Sequence, residues 1–160
     1  VTFSTSVSNN YIHKVLNKQK GGATMKKTEF VCPHCRGYLS VGDRVVFTIR
    51  KQGWTGGLLL LSPVVGDYQY ENHWSYKIQP GEEFDFLCPI CHSNLSVPGT
   101  EKFAKVIMRE EDDGRTHEFY VVFSRVEGEK CTFKIAEKQV ETFGESAHKY
   151  VDFVNASLLK

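Results

Sequence analysis

The sequence has no long apolar run, and no stretch approaches the roughly 20 residues that a membrane-spanning helix needs. Its first residues also lack the basic-then-apolar order of a secretory signal. Hydrophobic content of 41% and charged content of 24% are typical of a globular chain. We therefore expect a cytoplasmic protein, in a reducing compartment where closely spaced cysteines bind metal rather than form disulfides.

Familiar catalytic motifs are absent as well. The sequence contains no HExxH, no HxE deaminase pattern and no GxSxG. Its one compact acid–histidine cluster, Asp112, Asp113 and His117, flanks an Asp-Gly pair, which is typical of a solvated turn. We therefore predict that the protein is not an enzyme.

The charge has no strong excess of either sign, with 20 basic and 19 acidic side chains and a net charge of +1. Residues 1–24 hold three of the lysines and no acid, and the codons for KGG can form a ribosome-binding sequence upstream of Met25. Our hypothesis is that residues 1–24 are a leader read as protein, the alternative being a disordered basic arm. Without them 17 basic side chains face 19 acidic ones, a net charge of −2, which disfavours nucleic-acid binding.

What the sequence does contain is a near-repeat. FVCPHCRGYLSV begins at Phe30 and FLCPICHSNLSV begins at Phe86, with seven identical positions. Each copy holds a CPxC pair, whose tight turn directs two sulfurs toward one ion, and a structural zinc takes four ligands in a tetrahedron. We therefore predict that one Zn²⁺ per chain is bound by two pseudo-two-fold-related knuckles, through Cys32, Cys35, Cys88 and Cys91.

Several other side chains are weaker candidates. His34 and His92 adjoin the sulfurs, but a four-cysteine set is complete, so we expect them to contact a partner or support the ligands; a histidine replacing one cysteine is the alternative. Trp54 lies in a glycine-rich segment and is a candidate partner contact. Cys131 has no partner nearby in sequence, and we expect it to be a small buried residue in a strand.

The remaining pattern predicts a mostly β fold of the α+β kind. β-Branched and aromatic residues predict strands over 44–51, 58–61, 103–109, 118–125 and 131–135, with a turn at Asp113-Gly114. Each knuckle is thus followed by a β-hairpin, which indicates one domain over 25–160 with an internal duplication of about 30–80 and 86–135. Apolar residues at helical spacing and a capping box of Thr142 and Glu145 predict one C-terminal helix over about 142–157.

Between the two halves lies a row of aromatic residues at alternate positions, Tyr68, Tyr70, Trp74 and Tyr76, followed by Ile78. Such a row predicts one face of extended chain, with a possible break at Asn72-His73. A face of this kind usually packs on a core; the alternative is a platform for bases or sugars.

The two CPxC motifs resemble those of zinc ribbons and rubredoxin-like four-cysteine domains. GLLLLSP, GEKCTF and ETFGESAHKY resemble segments of a group of small bacterial zinc-ribbon proteins, over most of residues 25–160. The resemblance implies a four-thiolate metal site and brings no activity with it. Rubredoxin places glycine after its knuckle cysteines, where this chain has Arg36 and His92, and this difference weakens the expectation of redox iron.

Three functions remain after these exclusions. We favour a non-catalytic zinc-binding module that binds another protein, because the charge is nearly neutral and no catalytic constellation is present. A nucleic-acid-binding zinc ribbon is the first alternative, and a basic stripe on the surface would support it. A rubredoxin-like electron carrier with iron in the same site is the second.

Overall fold

The computed structural model describes residues 26–51 and 56–158. Trp54 and residues 1–24, for which expectations are stated above, lie outside the described residues. Within those ranges the chain forms ten β-strands and one short C-terminal helical segment, so the predicted mostly β class is confirmed. In chain order the strands are β1 (Lys27–Val31), β2 (Ser40–Val41), β3 (Arg44–Arg50), β4 (Gly57–Leu61), β5 (Tyr70–Asn72), β6 (Asp85–Leu87), β7 (Phe103–Asp112), β8 (Arg115–Ser124), β9 (Thr132–Ala136) and β10 (Gln139–Phe143).

The strands form two antiparallel sheets. One sheet has the order β1-β7-β8-β9-β10, and β7 and β8, which are ten residues each, form a hairpin within it. The other has the order β2-β3-β4-β5, and β6 also pairs with β3. The strand before each CPxC pair therefore joins the hairpin of the other half of the chain, since β1 pairs with β7 and β6 pairs with β3.

The core lies between the two sheets because their strands alternate inward apolar and outward side chains. In β3, Val45, Phe47 and Ile49 are buried, and the residues between them are more exposed. They pack in one cluster with Val106 and Val121 of the first sheet. Burying an apolar side chain of this size stabilises a fold by about 1.5 to 3 kcal/mol. This shared core fixes how the two halves, and hence the two CPxC pairs, face each other.

The other face of the first sheet is covered by the C-terminal segment. Phe103 packs against Phe133 and also against the rings of Tyr150 and Phe153, in a second cluster that includes Val154. The segment is a 3-10 turn (Ala147–Tyr150), a single α-turn (Val151–Phe153) and a π-helical turn (Val154–Leu158). No helix among the described residues has the length and apolarity needed to cross a membrane.

The predicted start of this helix is wrong. Thr142 lies in β10, where it pairs with Phe133 of β9, and the helical segment begins at Ala147. Thr142 and Glu145 therefore form no capping box, and no side chain caps the segment. The apolar residues of β10 and of the following turn are spaced as in a helix. Hydrogen bonding to β9 nevertheless places Thr142 in a strand.

The aromatic row does not form one extended face, and the break considered at Asn72-His73 is confirmed. Extended chain in this region is limited to β5, and a turn follows in which the Tyr76 N–H donates to His73 O at 2.9 Å. Trp74, within the turn, is 82% exposed, whereas Tyr76 is buried and packs near Phe84. These rings consequently lie in different environments and form no continuous platform.

Candidate metal centre

The two CPxC turns have the same backbone geometry. In the first, the Arg36 N–H donates to Cys32 O at 3.0 Å; in the second, the His92 N–H donates to Cys88 O at 2.9 Å. Arg36 and His92 both have a positive φ, 63° and 66°, which turns the chain away from each cysteine pair. The repeated sequence thus produces a repeated local structure.

Each turn is held by the strand that precedes it. Leu39 N–H donates to Phe30 O at 2.8 Å after the first turn, and Leu95 N–H donates to Phe86 O at 2.8 Å after the second. Both leucines and both phenylalanines are buried in the same core cluster. The core therefore positions both cysteine pairs, although more than 50 residues separate the paired sulfurs along the chain.

The structure brings the four predicted cysteines together, with all four Sγ atoms within 4.8 Å of one another. Cys32 Sγ lies 3.8 Å from Cys91 Sγ, and Cys35 Sγ lies 3.8 Å from Cys88 Sγ. Four sulfurs at about 2.3 Å from one tetrahedral ion are about 3.8 Å apart. The donor set and its spacing therefore fit one tetrahedrally coordinated metal ion.

Backbone N–H groups surround the sulfurs. The observed contacts are His34 N to Cys32 Sγ (3.3 Å), Gly37 N to Cys35 Sγ (3.4 Å), Ile90 N to Cys88 Sγ (3.4 Å) and Cys91 N to Cys88 Sγ (3.5 Å). Such donors stabilise negative charge on sulfur. This matters here because four thiolates carry more negative charge than one divalent ion neutralises. The CPxC turn therefore supplies both the ligands and part of their hydrogen-bonded support.

The cysteines differ in their surroundings. Burial raises the pKa of the Cys32 thiol to about 12 and also raises the pKa of Cys88. The Ser93 side chain, 3.3 Å from Cys91 Sγ, is the main cause that lowers the pKa of Cys91 to about 6. Cys35 is exposed to solvent. One side of the site is thus closed by the core, and the other is open to the surface.

The other candidates lie outside the four-sulfur group. His34 and His92 are exposed, and neither belongs to the group that could hold a metal. Cys131 is fully buried in the second cluster, as predicted, but it lies just before β9 and not in the strand; burial raises its pKa to about 12. Asp112, Asp113 and His117 are exposed around the turn between β7 and β8.

Two features of the site were not foreseen from the sequence. Ser93 contacts Cys91, while its counterpart in the first copy is Gly37. A Cβ on Gly37 would stand 2.6 Å from Ile90 Cδ1, so the bare glycine lets Ile90 of the other turn pack over it. The signal was a mismatch between the two copies at this position, because an aligned Gly–Ser difference indicates that their surroundings differ.

Comparisons with known proteins add nothing to this site: no protein-family model, no curated protein and no solved structure matches the chain.

Proposed function

We propose that the protein is a non-catalytic zinc-binding module of the zinc-ribbon kind, in which one Zn²⁺ on Cys32, Cys35, Cys88 and Cys91 stabilises the fold and the adjacent surface binds another protein. The observation that carries the proposal is the 3.8 Å spacing of sulfurs from the two halves. Four protein thiolates complete a zinc tetrahedron and leave no open position for a substrate or a reactive water. The metal therefore has a structural role.

The surface beside the site supports a protein partner. Tyr38 and Ile90 are each 54% exposed, and the Tyr38 hydroxyl accepts a hydrogen bond from Arg109 Nη1 at 3.1 Å. Arg36, next to them, is held by Glu118 through contacts of 2.7 and 2.8 Å. Exposed aromatic and aliphatic side chains bordered by ion pairs are typical of a protein-binding surface.

Charge pairing disfavours the nucleic-acid alternative. Eight basic side chains in the described part of the chain already form ion pairs with carboxylates, including Arg44 with Glu71 and Arg50 with Asp85. Binding to phosphates would have to break these pairs or rely on the remaining cations. We expect no specific DNA or RNA binding at physiological salt by the chain from Met25 onward. Fluorescence anisotropy over a salt series checks this, and steeply salt-dependent submicromolar binding would promote the alternative.

Elemental analysis of the folded protein tests the metal. One zinc per chain and no visible colour are expected, whereas iron with a visible absorption band would favour the electron carrier.

For the partner, a photo-crosslinking residue at Ile90 in the native cell should yield a discrete protein adduct. The same residue at exposed Glu101, just before β7, is the control and should not yield this adduct. Identical labelling from both positions would contradict the proposed surface.

A further inference from the structure

A second feature is a cleft of about 200 Å³ between the two sheets. Its interior is formed by inward-facing side chains of both sheets, among them Phe47, Leu59 and Leu61 from one and Val106 and Phe123 from the other. Apolar cavities of about 150 Å³ in protein cores stay dry and bind small aromatic molecules such as benzene. The size of this cleft and the apolar side chains of its interior therefore suit a small apolar guest.

The cleft opens at one end and is preformed there. Val64 and Lys130, which are exposed, line its mouth. Tyr68 fixes one side of the mouth, because its hydroxyl donates to Phe143 O at 3.1 Å and lies 3.0 Å from Thr132 Oγ1. A concave, largely apolar site with a fixed entrance is the usual form of a small-molecule site.

Arg125 gives the cleft a polar feature. This lining residue is only 9% exposed, and its Nη1 donates to Asp85 Oδ1 at 2.9 Å and to Ser96 Oγ at 3.1 Å. Its Nε has no hydrogen-bond partner among the described residues. A buried N–H without a partner is costly, and an acceptor atom on a bound molecule would satisfy it.

The cleft disfavours ions of both signs. The lining holds three acidic side chains, Asp67, Glu127 and Glu129, against Lys130 and the already paired Arg125, and this balance disfavours an anion. A cation inside would lose its hydration among the apolar side chains of the two sheets. An uncharged molecule encounters neither penalty.

We propose that this cleft is a binding site for a small, uncharged aromatic molecule that carries one hydrogen-bond acceptor, such as a carbonyl. The aromatic part lies among the apolar side chains of the two sheets, and the acceptor pairs with Arg125. The site is separate from the four cysteines, so this proposal stands or falls independently of the metal.

The test is an NMR titration of the full chain with three probes of similar size. Acetophenone has the acceptor, ethylbenzene has the same shape without it, and phenylacetate is an anion. We expect saturable shifts with acetophenone, about five-fold weaker binding of ethylbenzene because one hydrogen bond is lost, and the weakest binding of phenylacetate. Intermolecular NOEs should join the acetophenone ring to the methyl groups of Leu59 and Leu61.

Two substitutions on one strand provide a matched comparison. Leu61→Phe fills the cleft and should weaken acetophenone binding by about ten-fold or more, while Leu58→Phe, on the outward face of β4, should leave it within about two-fold. Absence of saturable shifts, NOEs only to residues outside the cleft, or equal binding by a folded Leu61→Phe variant would overturn the site. Ethylbenzene binding as tightly as acetophenone, or phenylacetate binding tightest, would overturn the proposed ligand class.

Discussion

Arg36 and His92 occupy equivalent positions after the two CPxC pairs, and both have a left-handed backbone conformation. This is the conformation that glycine adopts without strain, and it costs other residues about 1 to 2 kcal/mol. Arg36 gains an ion pair with Glu118 in return, whereas no hydrogen bond or ion pair is seen for the exposed His92 side chain within the described residues.

Position 92 should consequently prefer glycine. Both His92→Gly and His92→Ala remove the imidazole, but only glycine relieves the positive φ. We expect His92→Gly to exceed His92→Ala in free energy of unfolding by about 1 kcal/mol, with equal metal content. Urea denaturation of the two variants measures this difference. An alanine variant as stable as the glycine variant would show that the turn is not strained.

Cysteine substitutions should separate ligands from core residues. Cys88→Ser removes one of the four sulfurs, and because structural zinc contributes about 10 to 16 kcal/mol in small peptides, this variant should lose zinc and fail to fold. Cys131→Ala removes a buried sulfur outside the group and should cost about 1 to 2 kcal/mol while keeping one zinc per chain. Metal analysis and thermal melting give both results. A Cys88→Ser variant with unchanged melting would contradict the ligand assignment.

A buried carboxylate should make the stability of the fold depend on pH in the acidic range. Glu110, 7% exposed, contacts Lys26 and Lys134 at 2.8 and 2.9 Å. Burial alone would raise its pKa, but the two lysines outweigh burial and lower the pKa below its usual 4.5. The stabilisation is therefore fully present above about pH 4.5 and is lost as the pH falls through the lower pKa of the folded state.

Glu110→Gln should lower the free energy of unfolding by about 1 to 3 kcal/mol at pH 7, and the difference from the wild type should shrink toward pH 3. Glu111→Gln, at the exposed neighbouring position, is the control and should change little at either pH. Denaturation curves at several pH values measure both variants. A constant difference from pH 7 to pH 3 would contradict the assigned role of Glu110.

Glycine substitutions should test the end of β10. Gly144 has a φ of 93°, and a Cβ there would overlap Lys130 O and stand 2.5 Å from the Tyr68 hydroxyl. Gly81 has a similar φ of 85° but open space around it. We expect Gly81→Ala to lower the free energy of unfolding by about 1 kcal/mol. Gly144→Ala should lower it clearly more, because it adds a backbone clash to the same strain at positive φ. Equal melting temperatures for the two variants would show that the contact is easily relieved.

The candidate site was largely predictable from the sequence because its information is local. Two cysteines with a proline between them define half of a metal site, and the repeated motif supplies the other half. The hairpin of β7 and β8 was predictable for the same reason, since Asp113-Gly114 is a strong turn signal between alternating residues.

Features that depend on distant pairing were not predictable. The strand before each CPxC pair joins the hairpin of the other half, β1 with β7 and β6 with β3. This pairing follows from the shared core and leaves no local pattern in the sequence. The spacing from Phe143 to Ala147 fits a helical turn and predicts a helix there, yet Phe143 lies in β10 and pairs with Thr132 of β9. The cleft depends on the side chains of both sheets together, so neither half of the sequence indicates it.

The central claim is that four thiolates, two from each half of the chain, bind one zinc ion. X-ray absorption at the zinc edge of the purified full chain measures the ligands directly. The account predicts a single shell of four sulfurs at about 2.3 Å. A shell that contains nitrogen or oxygen, or folded protein without zinc, would contradict it.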